Sequence, residues 1–190
     1  ALLALQNAVR RGEWKVTVAV WKDREIIGVE AGNKTRGYGL AVDIGSTTVA
    51  GYLCDLSTAE VLATEAMMNP QVAYGEDVMS RIGYALKSKK NLKQINRVII
   101  TALNQIASKA AHSAGIKPAE IIDMAVVGNT CMHHLFLRLD PKALGKSPFV
   151  PAVHHSVDIK ARDLGLKIAP GAYVHVLPNE AGFVGADNVG

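Results

Sequence analysis

The chain is short of cysteine, of long apolar runs and of acidic charge, and each shortage removes a class of function. Cys54 and Cys131 are its only cysteines in 190 residues, and they stand far apart with no CxxC pair. An iron–sulfur cluster or a zinc site needs several thiolates or imidazoles at short spacing, so none is expected within this segment. Two lone thiols suit a reducing cytoplasm. No apolar stretch approaches the ~20 residues that a membrane-spanning helix requires, so no membrane role is expected. The opening Ala1-Leu-Leu-Ala-Leu5 runs into Arg10-Arg11 without the pattern of a cleaved signal peptide. There is also no initiator methionine, which points to a piece of a longer chain.

The charge balance is mildly basic, with a net charge of +4 and a pI near 9.1. Its densest basic run, Lys87-Ser-Lys-Lys-Asn-Leu-Lys93, contains no aromatic residue. A single-stranded nucleic acid would need stacking groups among the cations, so the run reads as a solvated helix end and no nucleic-acid partner is expected. Hydrophobic residues make up 49% and charged residues 20% of the chain, enough apolar material for one full core.

Periodicity divides the chain into elements. Residues 2–11 can form a short helix ended by Gly12. Residues 14–21 alternate, with Trp14, Val16, Val18 and Val20 on one face, and residues 24–30 return as a partner strand. Residues 31–37 are polar and glycine-bearing, a linker in character. Residues 1–37 are therefore expected to be the tail of a preceding small α+β domain with its linker. Residues 40–44 and 47–53 read as two strands about a tight turn, and 61–66 as a third. Glu76 and Asp77 open a helix carrying Val78, Ile82 and Leu86. A longer helix follows, with Ile95, Val98, Ile99, Leu103, Ile106 and Ala110 at core spacing and Gly115 at its end. Residues 121–127 form a buried-type strand ending in Gly128-Asn129-Thr130, where Asn129 or Thr130 can cap the next helix. The inner face of that helix is Met132, Leu135, Phe136 and Leu139. Residues 141–151 form a loop anchored by Phe149, residues 173–177 another strand, and the last residues a small-residue helix or turn. The order β-β-β-α-α-β-α-β is that of one ribonuclease-H-like half, an α/β fold with a mixed sheet flanked by helices.

The first hairpin carries the chemistry. Asp43 ends an apolar strand, where a carboxylate is costly unless it is paired or binds a metal. Gly45, Ser46, Thr47 and Thr48 follow, and their N–H groups and hydroxyls could converge on a phosphate. The same residues would also serve as a plain hairpin corner, and both readings stand at this level. Gly128, Asn129 and Thr130 sit where α/β proteins bind ligands, at the carboxyl end of a strand. The adjacent pairs His133-His134 and His154-His155 diverge on either a helix or a strand and make poor chelates.

Asp43-Ile-Gly-Ser-Thr-Thr-Val49 resembles the first phosphate motif of the ASKHA superfamily, which includes acetate and sugar kinases, Hsp70 and actin. With it, in order, come Asn69-Pro-Gln71, Tyr74-Gly-Glu-Asp-Val78, Ser80-Arg-Ile82, Gly128-Asn-Thr-Cys-Met-His-His-Leu135, Pro148-Phe149 and Leu177-Pro-Asn-Glu-Ala-Gly-Phe-Val-Gly-Ala-Asp187. This set resembles the ATPase part of the reductive activators of corrinoid proteins. Trp14-Lys-Val-Thr-Val18 and Val29-Glu30 are similar to the piece that precedes it, so the resemblance covers nearly the whole chain.

The resemblance implies an ATP-driven return of cobalt(II) corrinoid to cobalt(I), in the methyl-transfer metabolism of anaerobes. The implied partner is a corrinoid iron–sulfur or methyl-transfer protein, and the implied cofactors of the full-length protein are ATP and Mg²⁺. A two-iron ferredoxin-type cluster is implied outside this segment, with no cofactor held by the segment alone. Residues 38–190 would be the first ASKHA subdomain, with the second half missing. In that frame Asp43 would orient Mg²⁺ or its waters, and Gly45, Ser46, Thr47 and Thr48 would hold phosphate. Glu76 or Asp77 would position the attacking water, plain helix capping being the alternative. Gly128, Asn129 and Thr130 would line the cleft floor. The rival functions are an ASKHA-type metabolite kinase and a non-catalytic interaction module. Whether the full-length protein is a monomer or a homodimer is open.

Overall fold

A computed structural model describes residues 2–188. It contains a two-stranded antiparallel hairpin and a six-stranded mixed sheet. Helix α1 (Leu2–Arg11) and strands β1 (Val16–Trp21) and β2 (Glu25–Ala31) form the first piece. The main sheet has β3 (Tyr38–Ile44), β4 (Thr48–Asp55), β5 (Val61–Met68), β6 (Ile121–Gly128), β7 (Val157–Lys160) and β8 (Tyr173–Val176), in the order β5-β4-β3-β6-β8-β7. Strands β3, β6 and β8 run parallel, whereas β4, β5 and β7 pair antiparallel to their neighbours. This is the mixed sheet of a ribonuclease-H-like half.

Helices α2 (Val78–Leu86), α3 (Lys89–Ser113), α4 (Thr130–Leu137) and α5 (Ala161–Leu164) flank the sheet. Their starts follow local capping chemistry. Asp77, Ser88 and Asn129 each accept a hydrogen bond from a first-turn amide, satisfying groups a helix end leaves orphaned. The α3 stripe packs as its spacing demands. Ile95, Ile99, Leu103, Ile106 and Ala110 are fully buried against β3 residues Leu40 and Val42 and β4 residues Val49 and Leu53, while Val98 is only half-buried. The Lys87–Lys93 stretch runs from the C-cap of α2 into the first turn of α3 and is mostly exposed.

Three features depart from the periodicity. Strand β7 and helix α5 lie in a stretch whose polar His154-His155-Ser156 lead-in hides a four-residue edge strand. Helix α4 ends at Leu137, where Arg138 adopts a left-handed conformation, so Leu139 falls outside it. Strand β1 begins at Val16, Trp14 standing before it in a left-handed conformation, and the partner strand bulges opposite Ala19 and Val20. The alternation within β1 is kept, but its Val18 and Val20 face points to solvent, and Trp14 is 85% exposed.

The opposite face of that hairpin meets the main domain. Trp21 stacks on Tyr173 of β8, with ring centroids 3.8 Å apart at 16°. Lys160 Nζ donates to Glu25 at 2.7 Å and lies over the Tyr173 ring, and Lys22 pairs with Asp158 at 2.7 Å. No helix among the described residues is long and apolar enough to cross a membrane.

Candidate functional site

The carboxyl ends of the three parallel strands converge on one edge of the sheet. Ile44 is in register with Gly128, and Val126 with Val176, so the chain leaving β3, β6 and β8 emerges side by side. Gly45, Ser46 and Thr47 make the turn from β3 into β4. A Cβ on Gly45 would stand 2.6 Å from the Thr48 carbonyl oxygen, so the tightness of this corner requires glycine.

Every carbonyl of the turn is held from behind. Asn69 Nδ2 donates to the Gly45 oxygen at 2.7 Å, Arg81 Nη2 to the Ser46 oxygen at 2.6 Å, and the Asn69 amide to the Thr47 oxygen at 2.7 Å. From the neighbouring strand, Asn129 Nδ2 donates to Ser46 Oγ at 3.1 Å while its Oδ1 caps α4 through the Met132 amide at 3.0 Å. One asparagine therefore fixes both the turn hydroxyl and the helix start.

Asp43 stands at the end of β3 beside this turn. Its Oδ1 is buried and has no hydrogen-bond partner among the described residues. Burial raises the carboxyl pKa above its ordinary value, and the charge of Asp187 adds to the rise. Asp187 arrives on the segment after β8, which is pressed onto the α4 start. A Cβ on Gly185 would collide with the Gly128 carbonyl, and Thr130 Oγ1 donates to the Ala181 oxygen at 2.6 Å. A buried carboxylate oxygen with no donor, within reach of the charge of a second carboxylate, is chemistry suited to a hard cation such as Mg²⁺. The residues present fit that ion.

The remaining expected residues differ in what they have free. Gly128 is buried under the site and the Thr130 hydroxyl is spent on Ala181, so neither side chain has a free polar group to offer a ligand. Asp77 is the cap of α2, with one oxygen accepting from the Ser80 amide and the other from Ser80 Oγ, both at 2.8 Å. Those bonds, led by the amide, hold its pKa below the ordinary value. Glu76 is exposed.

Four residues escaped the periodicity. Asn69 and Gln71 read as a strand break, yet both are fully buried, and Asn69 makes the turn's rear wall. Arg81 sits one residue before a core isoleucine and is the largest fully buried side chain. Asp187 carried no signal beyond its place in a motif.

Helix α4 also buries two adjacent histidines. The His134 ring stands 2.7 Å from the Thr130 oxygen through Nδ1 and accepts the Ala152 amide on Nε2 at 2.9 Å, which fixes the neutral Nδ1–H tautomer. Neither ring nitrogen of His133 has a partner among the described residues, and burial, with the neighbouring His134, pushes its pKa down to about 4.

Two family models match the chain: one described as the RACo middle region over residues 38–190, the other as the RACo linker region over residues 1–36. The corrinoid activation enzyme RamQ of Eubacterium limosum is 40% identical over 150 residues, which is 79% of this chain and 25% of RamQ. A solved structure, the reductive activator for corrinoid, iron–sulfur protein, is 31% identical. It superposes with a TM-score of 0.87, covering 98% of this chain and 30% of that one. The chain thus spans between a quarter and a third of the length of these relatives.

Proposed function

The chain belongs to the RACo family, whose linker and middle-region models between them match all of it but residue 37, and on that premise we propose that it is part of an ATP-dependent reductive activator of a corrinoid protein. The full-length protein passes one electron from a two-iron ferredoxin-type cluster, held outside this segment, to cobalt(II) in a partner corrinoid iron–sulfur or methyl-transfer protein. ATP hydrolysis drives that reduction to cobalt(I). Both named relatives are activators of corrinoid systems, which supports the partner class. The setting is the cytoplasm of an anaerobe that moves methyl groups.

In this reading residues 38–190 are the first subdomain of an ASKHA ATPase, whose site is completed by a second, similar half. Residues 1–37 are the tail of the preceding piece and its linker. The observation that carries the nucleotide role is the sheet edge itself, where the Asp43 oxygen has no partner among the described residues, beside a turn whose carbonyls are all tied away from it.

Asp43 and Asp187 would hold Mg²⁺, directly or through its waters, and the ion would offset the charge of the nucleotide's phosphates. The Ser46 and Thr47 amides with the Thr47 and Thr48 hydroxyls would bind phosphate oxygens, and Asn129 would keep the Ser46 hydroxyl aimed. Asp77, bound as it is to Ser80, would act by fixing the start of α2, which leaves Glu76 as the acid free to orient water.

The test is the cobalt oxidation state, read by visible absorption, with full-length protein, a reductant and a corrinoid partner. The proposal expects cobalt(I) only when ATP is present. Transfer of phosphate to a small metabolite, with no change at cobalt, would assign the same fold to a kinase instead.

A further inference from the structure

Arg81 is completely buried, and its guanidinium faces no carboxylate within salt-bridge distance among the described residues. Its three contacts are all uncharged. Nε donates to the Gly75 oxygen at 2.8 Å, Nη2 to the Ser46 oxygen at 2.6 Å, and Nη1 reaches the Met132 sulfur at 3.4 Å. Burial lowers its pKa from the ordinary value, but a guanidinium starts so far above neutrality that it stays charged. A dry cation whose nearest carboxylate, Asp77, acts on it only from beyond salt-bridge distance is expensive, and this one abuts the turn between β3 and β4.

The turn's geometry explains what that position achieves. Across a trans peptide, the carbonyl of one residue and the amide of the next point in opposite directions. Asn69 and Arg81 draw the carbonyls of Gly45, Ser46 and Thr47 to the interior side. The amides of Ser46, Thr47 and Thr48 are thereby turned the other way. Neither the Ser46 nor the Thr47 amide has an acceptor among the described residues. Outward amides in succession form a concavity for an anion, and a fixed positive charge behind them deepens it.

We propose that Arg81 is a positioning residue for the nucleotide's phosphates: it pins the Ser46 carbonyl inward so that the Thr47 amide faces the ligand, and it supplies the buried positive charge that the bound phosphate answers. The proposal rests on the nucleotide reading above, and its test separates the two. Calorimetric titration of the full-length protein would compare ATP, ADP and adenosine for the wild type, Arg81→Met and Arg81→Lys. Methionine replaces the side chain with an apolar one that fits beside the Met132 sulfur, and lysine keeps the charge without the fork.

Arg81→Met should weaken ATP and ADP at least tenfold and leave adenosine within twofold, a phosphate-selective loss that simple loosening of the fold would not produce. Arg81→Lys should lie between the two and carries the test alone if the methionine variant does not fold. If the wild type binds no ATP, the nucleotide reading fails and Arg81's role falls with it. If the wild type binds ATP and both folded variants bind it equally well, or lose ATP and adenosine in parallel, only the role of Arg81 is overturned.

Discussion

The carboxyl edge of the main sheet and the amino-terminal hairpin break the rule of burial in opposite ways. At the sheet edge polar groups are dry. Arg81 is 0% exposed and His133 4%, and Asp43 and Asn179 each carry a buried oxygen with no partner among the described residues. In the hairpin apolar groups are wet. Val20 is 52% exposed, Ile26 51%, and Leu3 of α1 98%. The core between them obeys the rule, with Leu40, Ile44, Leu53 and Phe136 sealed. Two of these departures, Arg81 and Asp43, lie at one turn and one strand end, where a ligand would answer them. The hairpin instead is held by polar and aromatic contacts through Trp21, Lys22 and Glu25. Stability therefore resides in the sheet, the proposed chemistry at its edge, and the hairpin's exposed face contributes to neither.

That contrast can be tested in order of size. Phe136→Ala should cost the 190-residue chain about 3–5 kcal/mol in urea unfolding, because the residue is fully buried and leaves a cavity. A smaller cost would mean that the core is looser than the sheet packing indicates.

His133 gives the next effect, through pH. Its folded pKa of about 4 lies below the ordinary 6.5, so the unfolded chain takes up the proton first as pH falls. The stability that depends on this residue is complete above about pH 6.5 and is lost as pH drops toward 4, by about 3 kcal/mol. His133→Phe should flatten that part of the stability–pH curve. An unchanged slope would show that His133 finds a partner in solution.

Trp21→Ala should release the hairpin from β8 at a cost of about 1 kcal/mol, seen as faster amide exchange in β1 and β2 with β3 and β6 unaffected. Val20→Thr sits at the small end, within about 0.5 kcal/mol, since half of the side chain is already in water. A larger loss there would make the hairpin's outer face structural and erase the comparison.

Much of the fold was legible because it rests on local pattern. The short apolar run at 40–44, the β-branched strand after it and the regular stripe of α3 each specify an element without outside help. The edge strand β7 did not show, because four half-buried residues carry too little periodicity. The apolar face of β1 was read correctly as a pattern, but a pattern says which residues share a face and not whether anything covers it.

At the site, Asp43 and the glycine–hydroxyl turn stood out as residue types in the wrong place for a core strand. Arg81 did not, since a charged residue in a helix is unremarkable until its neighbours Gly75, Ser46 and Met132, brought from three other segments, close around it. Asp187 likewise acquires meaning only from its nearness to Asp43.

The most direct test of the central claim is the affinity of the full-length protein for ATP with and without Mg²⁺, measured for the wild type and Asp43→Asn. The buried carboxylate is raised in pKa and has an oxygen without a partner among the described residues, so the amide should fold at least as stably as the acid. The account predicts that Mg²⁺ tightens ATP binding to the wild type by about tenfold or more, and that Asp43→Asn abolishes the gain while remaining folded. A folded Asp43→Asn protein that keeps the whole Mg²⁺ effect would contradict it.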